Sequence, residues 1–441
     1  MKRKSVWLFV AGSVVAMSTV LSLQAASAPP DGSDTKNVIT GTAAFDSYKT
    51  EKPGTFRKIT VADLPQPFAT KGVGNSPTVV PRPADAWPKT ILGFKVGLYA
   101  HDGLENPRKM VAAPNGDIFL ADTDKGEIKV FHGMTKDGKP QQTSTFATRL
   151  PNPYGMAFYP VGKNPQWLYV GNTNSIVRFP YKNGDMKASG SAQTIVADLD
   201  AKGGHSTRDL AFLPDGSKLL VAVGSGSNIN DPDTHPKERM RAQIREYTPD
   251  GKFVKTYASG IRNPAGMIIS PSGQVWVSTN ERDMLGDNLV PDYITHVQEG
   301  GFYGWPYYYT GDHHDPRLPE KPELGKKTIV PDVLLQPHNA SLGLIFYEGN
   351  QFPKEYKGDI FAAEHGSWNK SVRAGYEVIR VPIENGKAVG DYEDFVTGFV
   401  TPDGKVWGRP VGIVTAPDGS LLVSDDGSNS IWRVSYVGKK K

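Results

Sequence analysis

Arg108, Arg208, Arg262 and Arg409 stand at one phase of a recurring phrase, with Asn263 beside the third and His205 three residues ahead of the second. Tyr154, His338 and Asn339 share that phase. When copies of a repeat close into a ring, residues at one phase approach one another. Four guanidinium groups gathered in this way concentrate positive potential in a narrow, partly desolvated mouth, which suits a small ligand bearing several carboxylates or phosphates. His205 follows Gly203-Gly204, and a neutral imidazole with an ordinary pKa of about 6.5 can take a proton from an alcohol near neutrality. A plainer reading competes with both: an arginine can cap carbonyls or pair with Glu105, Asp209, Glu281 or Asp403, and a lone histidine is often structural. The segment from Asn280 to Asn288 collects acids among turn residues, oxygen ligation of the kind calcium takes, but without EF-hand spacing. There is no P-loop, GxGxxG after a strand, GxSxG or HExxH, so nucleotide cradles and the common hydrolases lack support. The absence of cysteine excludes disulfides, thiolate metal sites, a cysteine nucleophile and covalent c-type haem.

The phrase that carries these residues is a loop with Pro or Arg, a short apolar run, a Pro-x-Gly turn, a second apolar run and a polar turn. Its copies begin at Asn106-Pro107-Arg108, Pro153-Tyr154-Gly155, Thr207-Arg208-Asp209, Arg262-Asn263-Pro264, Ser341-Leu342-Gly343 and Arg409-Pro410-Val411. Anchors about 45 to 75 residues apart, with no helical stretch between them, predict an all-β fold, a six-bladed β-propeller of four-stranded antiparallel blades over residues 90–437. The longest insertions, 283–336 and 368–373, lie between the fourth and sixth copies, where long loops on a rigid scaffold place sites.

The ends read differently. Lys2-Arg3-Lys4, an apolar run from Val6 to Leu23 and Ala26-Ser27-Ala28 form a signal peptide over residues 1–28, which directs the mature chain to the periplasm. Loss of its three charges lowers the formal net charge from +4 to +1, so nucleic acid and anionic membrane lose their electrostatic argument. No later segment is apolar enough to span a bilayer, and a soluble mature chain is expected. Residues 29–89, rich in Pro, Ser, Thr and Asp, read as an extended arm that lies on the main domain or is partly disordered, and residues 438–441 as a basic tail.

With these residues in hand, the chain resembles the soluble quinoprotein sugar dehydrogenases, the glucose/sorbosone dehydrogenase family that uses pyrroloquinoline quinone (PQQ), and is most similar to its sorbosone or aldose branch. The resemblance spans Ile91 to Tyr436 and rests on Gly260-Ile261-Arg262-Asn263-Pro264-Ala265-Gly266-Met267, Asn280-Glu281-Arg282-Asp283, Leu289-Val290-Pro291-Asp292-Tyr293, Gly300-Gly301-Phe302-Tyr303-Gly304-Trp305-Pro306 and Glu364-His365-Gly366-Ser367-Trp368-Asn369, in that order. It implies a PQQ- and calcium-dependent oxidoreductase that converts an aldose or aldehyde sugar to the lactone or acid. His205 matches the family's general base, Arg262 the group over the reacting quinone carbonyl, Asn263 its cofactor-binding neighbour and Arg409 a carboxylate-binding arginine. Lys370 or Arg373 matches the cation that contacts the quinone. Glu281 and Arg282 fall where the family ligates calcium through backbone carbonyls, with Asp287 near that site. Gly204 stands where the glucose enzymes place an aspartate, so the partner that orients the imidazole is not given. Without Cys-x-x-Cys-His, electrons pass to a separate acceptor, a quinone or cytochrome. Two other readings share the architecture: a calcium-dependent lactonase, which needs carboxylates and amides around a central metal, and a non-catalytic propeller whose arginines bind an acidic peptide or glycan.

Overall fold

The repeated Pro-x-Gly phrase folds as a tight reversal. In the first copy Gly116 has φ 92°, a conformation that costs glycine little, and its N–H donates to Ala113 O while Ala113 N–H donates to Asp117 O, both at 2.8 Å. The same pair of bonds recurs at Leu213/Gly216, Ser270/Gly273 and Ala416/Gly419. Each reversal joins two short β-rich runs into an antiparallel pair, as with Pro107–Ala112 and Ile118–Asp122. The computed structural model describes residues 37–200 and 203–438. The expected signal peptide and the last three residues of the basic tail lie outside the described residues.

The chain builds a β-propeller of four-stranded antiparallel sheets. Three of them begin with Pro107–Ala112, Pro153–Tyr159 and Leu210–Phe212, and a fourth runs Pro264–Ile269, Val275–Thr279, Pro291–His296, Val333–Pro337. The sheet beginning with Pro410–Thr415 takes its outer strand, Phe94–Ala100, from the other end of the propeller sequence, with Tyr436 opposite Phe94. That exchange ties the ends of the ring together, and the repeat phrase alone did not reveal it. The first strands touch in sequence order, and Pro410–Thr415 returns to Pro107–Ala112.

Among the described residues five sheets have the expected four strands. Another has seven, because strands of the arm add to the outer edge of Ser341–Phe346, Ile360–Glu364, Glu377–Val381 and Tyr392–Thr397, and two short ribbons pair Tyr308–Tyr309 with His313–His314 and Ile383–Glu384 with Lys387–Ala388. Phe56–Lys58 and Lys89–Thr90 both pair with Tyr392–Thr397, and Val38–Thr40 pairs parallel to Phe56–Lys58. Arg57 is fully buried there and donates to Asp394 through Nε and Nη2, each at 3.1 Å. The described part of the arm is therefore woven into the sheet.

Alternation along each strand loads both faces of every sheet with apolar side chains. Leu120 packs toward Leu422 and Ile431 of the last sheet, whereas its neighbours Phe119 and Ala121 pack toward Leu168 and Val170 of the next. Each such buried side chain contributes about 1.5–3 kcal/mol. The core is thus a set of layers between sheets, which holds the loop ends in fixed relation around the axis.

Candidate functional site

The loops leading into the first strands meet at a cavity of ≈ 420 Å³. Arg108, His205, Arg262, Asn263 and Arg409 line it, as the repeat phase requires, together with His365.

His205 is held by main chain. Its Nδ1 lies 3.0 Å from Ser225 O, and its own backbone N–H donates to the same oxygen at 3.0 Å. Buried Arg241 donates to both carbonyls, His205 O and Ser225 O, at 2.9 Å each. A carbonyl can only accept, so Nδ1 carries the proton and Nε2 keeps its lone pair. Burial, and after it the charge of Arg262, push the imidazole down to about 3. His205 is therefore neutral across the physiological range, the state a general base needs.

Arg262 is fixed at every nitrogen. Nη1 donates to Glu281 O at 2.6 Å, Nη2 to Asp283 Oδ2 at 2.7 Å and to Asn228 Oδ1 at 3.0 Å, and Nε to Asn228 O at 3.4 Å. Asn263 donates to Asn280 Oδ1 at 3.2 Å, and its own Oδ1 is buried without a partner among the described residues. Asp283 also accepts from Asn369 Nδ2 at 2.7 Å, which ties the fourth sheet's exit loop to the 366–373 loop.

Across the cavity, Asp426 accepts from Arg108 Nη1 at 3.0 Å and faces His365 Nε2 at 2.8 Å. Burial opposes its charge, but His365 and then Arg108 and Arg409 hold the carboxyl down at about 2. Burial lowers His365 to about 4 despite that neighbour. Arg409 spends only Nε on the protein, at 3.3 Å from His365 O, so its Nη groups have no partner among the described residues. Arg108 Nε is likewise without a partner among the described residues. His338, by contrast, is engaged at both ring nitrogens, Nε2 with Gly286 O and Nδ1 with Asn369 Nδ2, each at 3.1 Å.

Other residues expected here lie elsewhere. Arg208 is fully buried behind the cavity and donates from Nη1 to His205 O and Thr207 O, both at 2.8 Å, so it braces the His205 loop. Arg373 turns outward to Gly404 O at 2.7 Å and Asn75 O at 2.8 Å. Lys370 is buried with Nζ unpartnered among the described residues, and burial lowers it to about 8. Arg282 points away, into Pro306 O, Tyr308 O and the Glu281 carboxylate. Asp287 caps Ser371, accepting from its N–H at 2.7 Å and from its hydroxyl. Among the described residues no three His, Asp or Glu side chains converge as a metal cage.

Sequence reasoning did not single out Ser225, Asn369 or Asp426. Ser225 acts through a carbonyl, which any residue supplies, so no side-chain signal could mark it. Asp292 also reaches the cavity, where it accepts from Glu281 N and Ala340 N at 2.7 Å each; burial nevertheless raises it to about 8.

Fold and site together define a propeller with a cationic, histidine-bearing mouth. The chain belongs to the TrAA12-like family, whose model matches residues 88–300 and 323–437. An uncharacterized protein of Borreliella burgdorferi is 32% identical over 359 residues, covering 78% of this chain and 89% of that one. A pyrroloquinoline quinone-dependent pyranose dehydrogenase of Coprinopsis cinerea is 24% identical over 415 residues, covering 78% of this chain and 54% of that longer protein. Among solved structures, the holo form of the pyranose dehydrogenase PQQ domain from Coprinopsis cinerea superposes with a TM-score of 0.68 at 21% identity, covering 80% of this chain and 98% of that one. The calcium structure of the Trichoderma reesei carbohydrate-active enzyme of family AA12 gives a TM-score of 0.68 at 19% identity, covering 81% and 98%.

Proposed function

We propose that this chain is a PQQ-dependent dehydrogenase that oxidises an aldose or related aldehyde sugar to the lactone or acid, working with calcium in the periplasm and passing electrons to a separate acceptor. We count the seven-stranded sheet as the sixth blade of its propeller. The observation that carries the reading is the pairing, in one cavity, of a neutral His205 with guanidinium nitrogens that have no partner among the described residues, both Nη of Arg409 and Nε of Arg108. A polycarboxylated anion is what such donors lack.

The residues fit that group. Arg409 and Arg108 would bind its carboxylates, Asn263 Oδ1 would accept from it, and Arg262, already rigid, would face its reacting end. When bound, the quinone supplies a two-electron acceptor, chemistry that no side chain here offers. His205 Nε2 would accept the sugar hydroxyl proton, and Ser225 O would hold the resulting imidazolium through Nδ1–H. Calcium, lacking a side-chain cage, would rest on backbone oxygens around Glu281 and Arg282, close to the Asp283 carboxylate. Three arginines and three histidines line the mouth beside three carboxylates and three amides, and it is the arginines, which a lactonase does not need, that favour this reading.

The test is titration of the metal-stripped mature protein with PQQ, with and without calcium, followed by dye reduction on a panel of aldoses. Calcium-dependent binding with sugar-driven dye reduction is expected. Binding without turnover would reopen the substrate class, and no binding would return the weight to a lactonase or a non-catalytic propeller.

A further inference from the structure

The arm segment from Phe68 to Ser76 runs between the two loops that wall the cavity and bonds to both. On one side Phe68 N–H donates to Leu285 O at 2.7 Å, and Thr70 Oγ1 accepts from Asp287 N–H at 2.8 Å. On the other side Asn75 N–H donates to Trp368 O at 2.7 Å, and its Nδ2 to Lys370 O at 2.9 Å and Ser371 O at 3.2 Å. Arg373 returns the contact, with Nη1 donating to Asn75 O at 2.8 Å and Nη2 to Ser76 O at 3.2 Å.

These bonds pin the carbonyls on both sides of Asn369. The Asn369 amide then donates to Asp283 Oδ1 at 2.7 Å, and Asp283 Oδ2 accepts from Arg262 at 2.7 Å. Asn75 is thereby linked to the Arg262 guanidinium through one loop and two side-chain hydrogen bonds. The family model begins at residue 88, so the arm that makes this link lies outside the matched core. The base of the loop has fastenings of its own, Gly366 N–H to Asn339 O at 2.8 Å and Ser367 N–H to Ala374 O at 3.0 Å. Loss of the Asn75 side chain would loosen the tip and spare the fold.

We propose that Asn75 is a positioning residue for the cavity: through the 368–371 backbone it sets where Asn369, Asp283 and Arg262 sit, which makes the arm part of the ligand-binding apparatus. The effect on the ligand rests on the quinone reading above; the fastening does not.

Hydrogen–deuterium exchange on the full mature chain, paired with calorimetric titration of PQQ in calcium, tests it. Asn75→Asp, which removes the donor and faces two carbonyls with a carboxylate, is expected to speed exchange across 366–373 and at Asp283 about tenfold, with outer strands unchanged. PQQ affinity is expected to fall about tenfold, and kcat several-fold with the sugar KM within about twofold, because Arg262 acts on the reacting end. Asn75→Ala should show a smaller shift of the same kind. Thr70→Val should loosen 285–288 most, with a smaller effect on 366–373 confined to Ser371, which Asp287 caps. Unchanged exchange in 366–373, or faster exchange there with PQQ affinity and kcat intact, would overturn the proposal. If the wild-type chain binds no PQQ, the quinone reading fails, and exchange together with the melting temperature decides the strap alone: a global loss of protection would mean a purely structural role.

Discussion

His205 Nδ1 lies 3.0 Å from the carbonyl oxygen of Ser225, and that contact places the ring proton on Nδ1 and leaves the lone pair on Nε2. The glucose enzymes that the sequence resembles supply an aspartate at this point of the chain. Here a peptide oxygen, itself clamped by Arg241, does the orienting. Burial, and after it the charge of Arg262, keep the imidazole neutral, and a carbonyl offsets them less than a carboxylate would.

Removal of the base is the first expectation. His205→Asn should lower kcat by about 10²–10⁴-fold, the usual worth of a positioned base, with PQQ affinity held within about threefold. Ser225→Ala keeps the carbonyl and loses only a hydroxyl 3.1 Å from Nδ1, so it should cost less than about tenfold. Steady-state kinetics with calorimetry checks both, and full activity in His205→Asn removes the assignment.

Acid stability carries the mark of the same residue. The folded imidazole sits at about 3, while the unfolded one sits near 6.5. Between those values the unfolded state binds more protons, so this group lowers stability as pH falls from about 6.5 toward 3. His205→Asn should melt closer to the wild type at pH 7 than at pH 4.5, where the variant should gain relative to it. Thermal unfolding at the two pH values reads the difference.

The opposite sign applies to Glu364, fully buried, with Ser341 Oγ donating to Oε1 at 2.7 Å and Oε2 unpartnered. Burial raises it to about 8, so the folded state retains a proton that the unfolded state has lost above about pH 4.3. Its contribution is full below the unfolded value and disappears as pH rises through about 8. Glu364→Gln should therefore match the wild type near pH 4 and exceed it at pH 9 by at least about 1 kcal/mol. Denaturant titration at both pH values would show a gain confined to alkaline solution, and equal stability at pH 9 would contradict the assignment.

Arginines at the same repeat phase should separate by role. Arg409→Ala should weaken PQQ by about ten- to hundredfold, the worth of a charged hydrogen-bond pair, with little change in melting temperature. Arg208→Met should leave the quinone constant and lower stability, since its guanidinium braces His205 O and Thr207 O from behind. An equal loss of PQQ affinity in both variants would argue against the division.

At the outer edge, Arg57→Met removes the partner of a carboxylate that is itself fully buried, Asp394. Breaking such a pair costs about 3–5 kcal/mol because the remaining charge is stranded. Chemical denaturation should show a loss of that size. A change below about 1 kcal/mol would mean that the arm strand is not part of the cooperative unit.

What the sequence determined by itself was periodic and local. Pro-x-Gly turns and alternating apolar runs set the reversals, the strands and the phase of the repeat, and residues at one phase of a closed ring must converge. Repeat spacing alone therefore places Arg108, His205, Arg262, Asn263 and Arg409 at one mouth. The tertiary structure decided matters that depend on side-chain direction and on contacts distant in sequence. Arg208 shares the phase but lies behind the cavity, where Nη1 alone donates to the His205 and Thr207 carbonyls. Arg373 and Asp287 are claimed by Asn75 and Ser371, partners that no spacing rule could name. The ring is closed by Phe94–Ala100, and a sheet is widened by arm strands, through main-chain bonding at exposed sheet edges. Such edges accept any extended backbone, so composition alone left open whether the arm lies on the domain or is disordered, and only the packed chain shows its described part joined to the wall of the site.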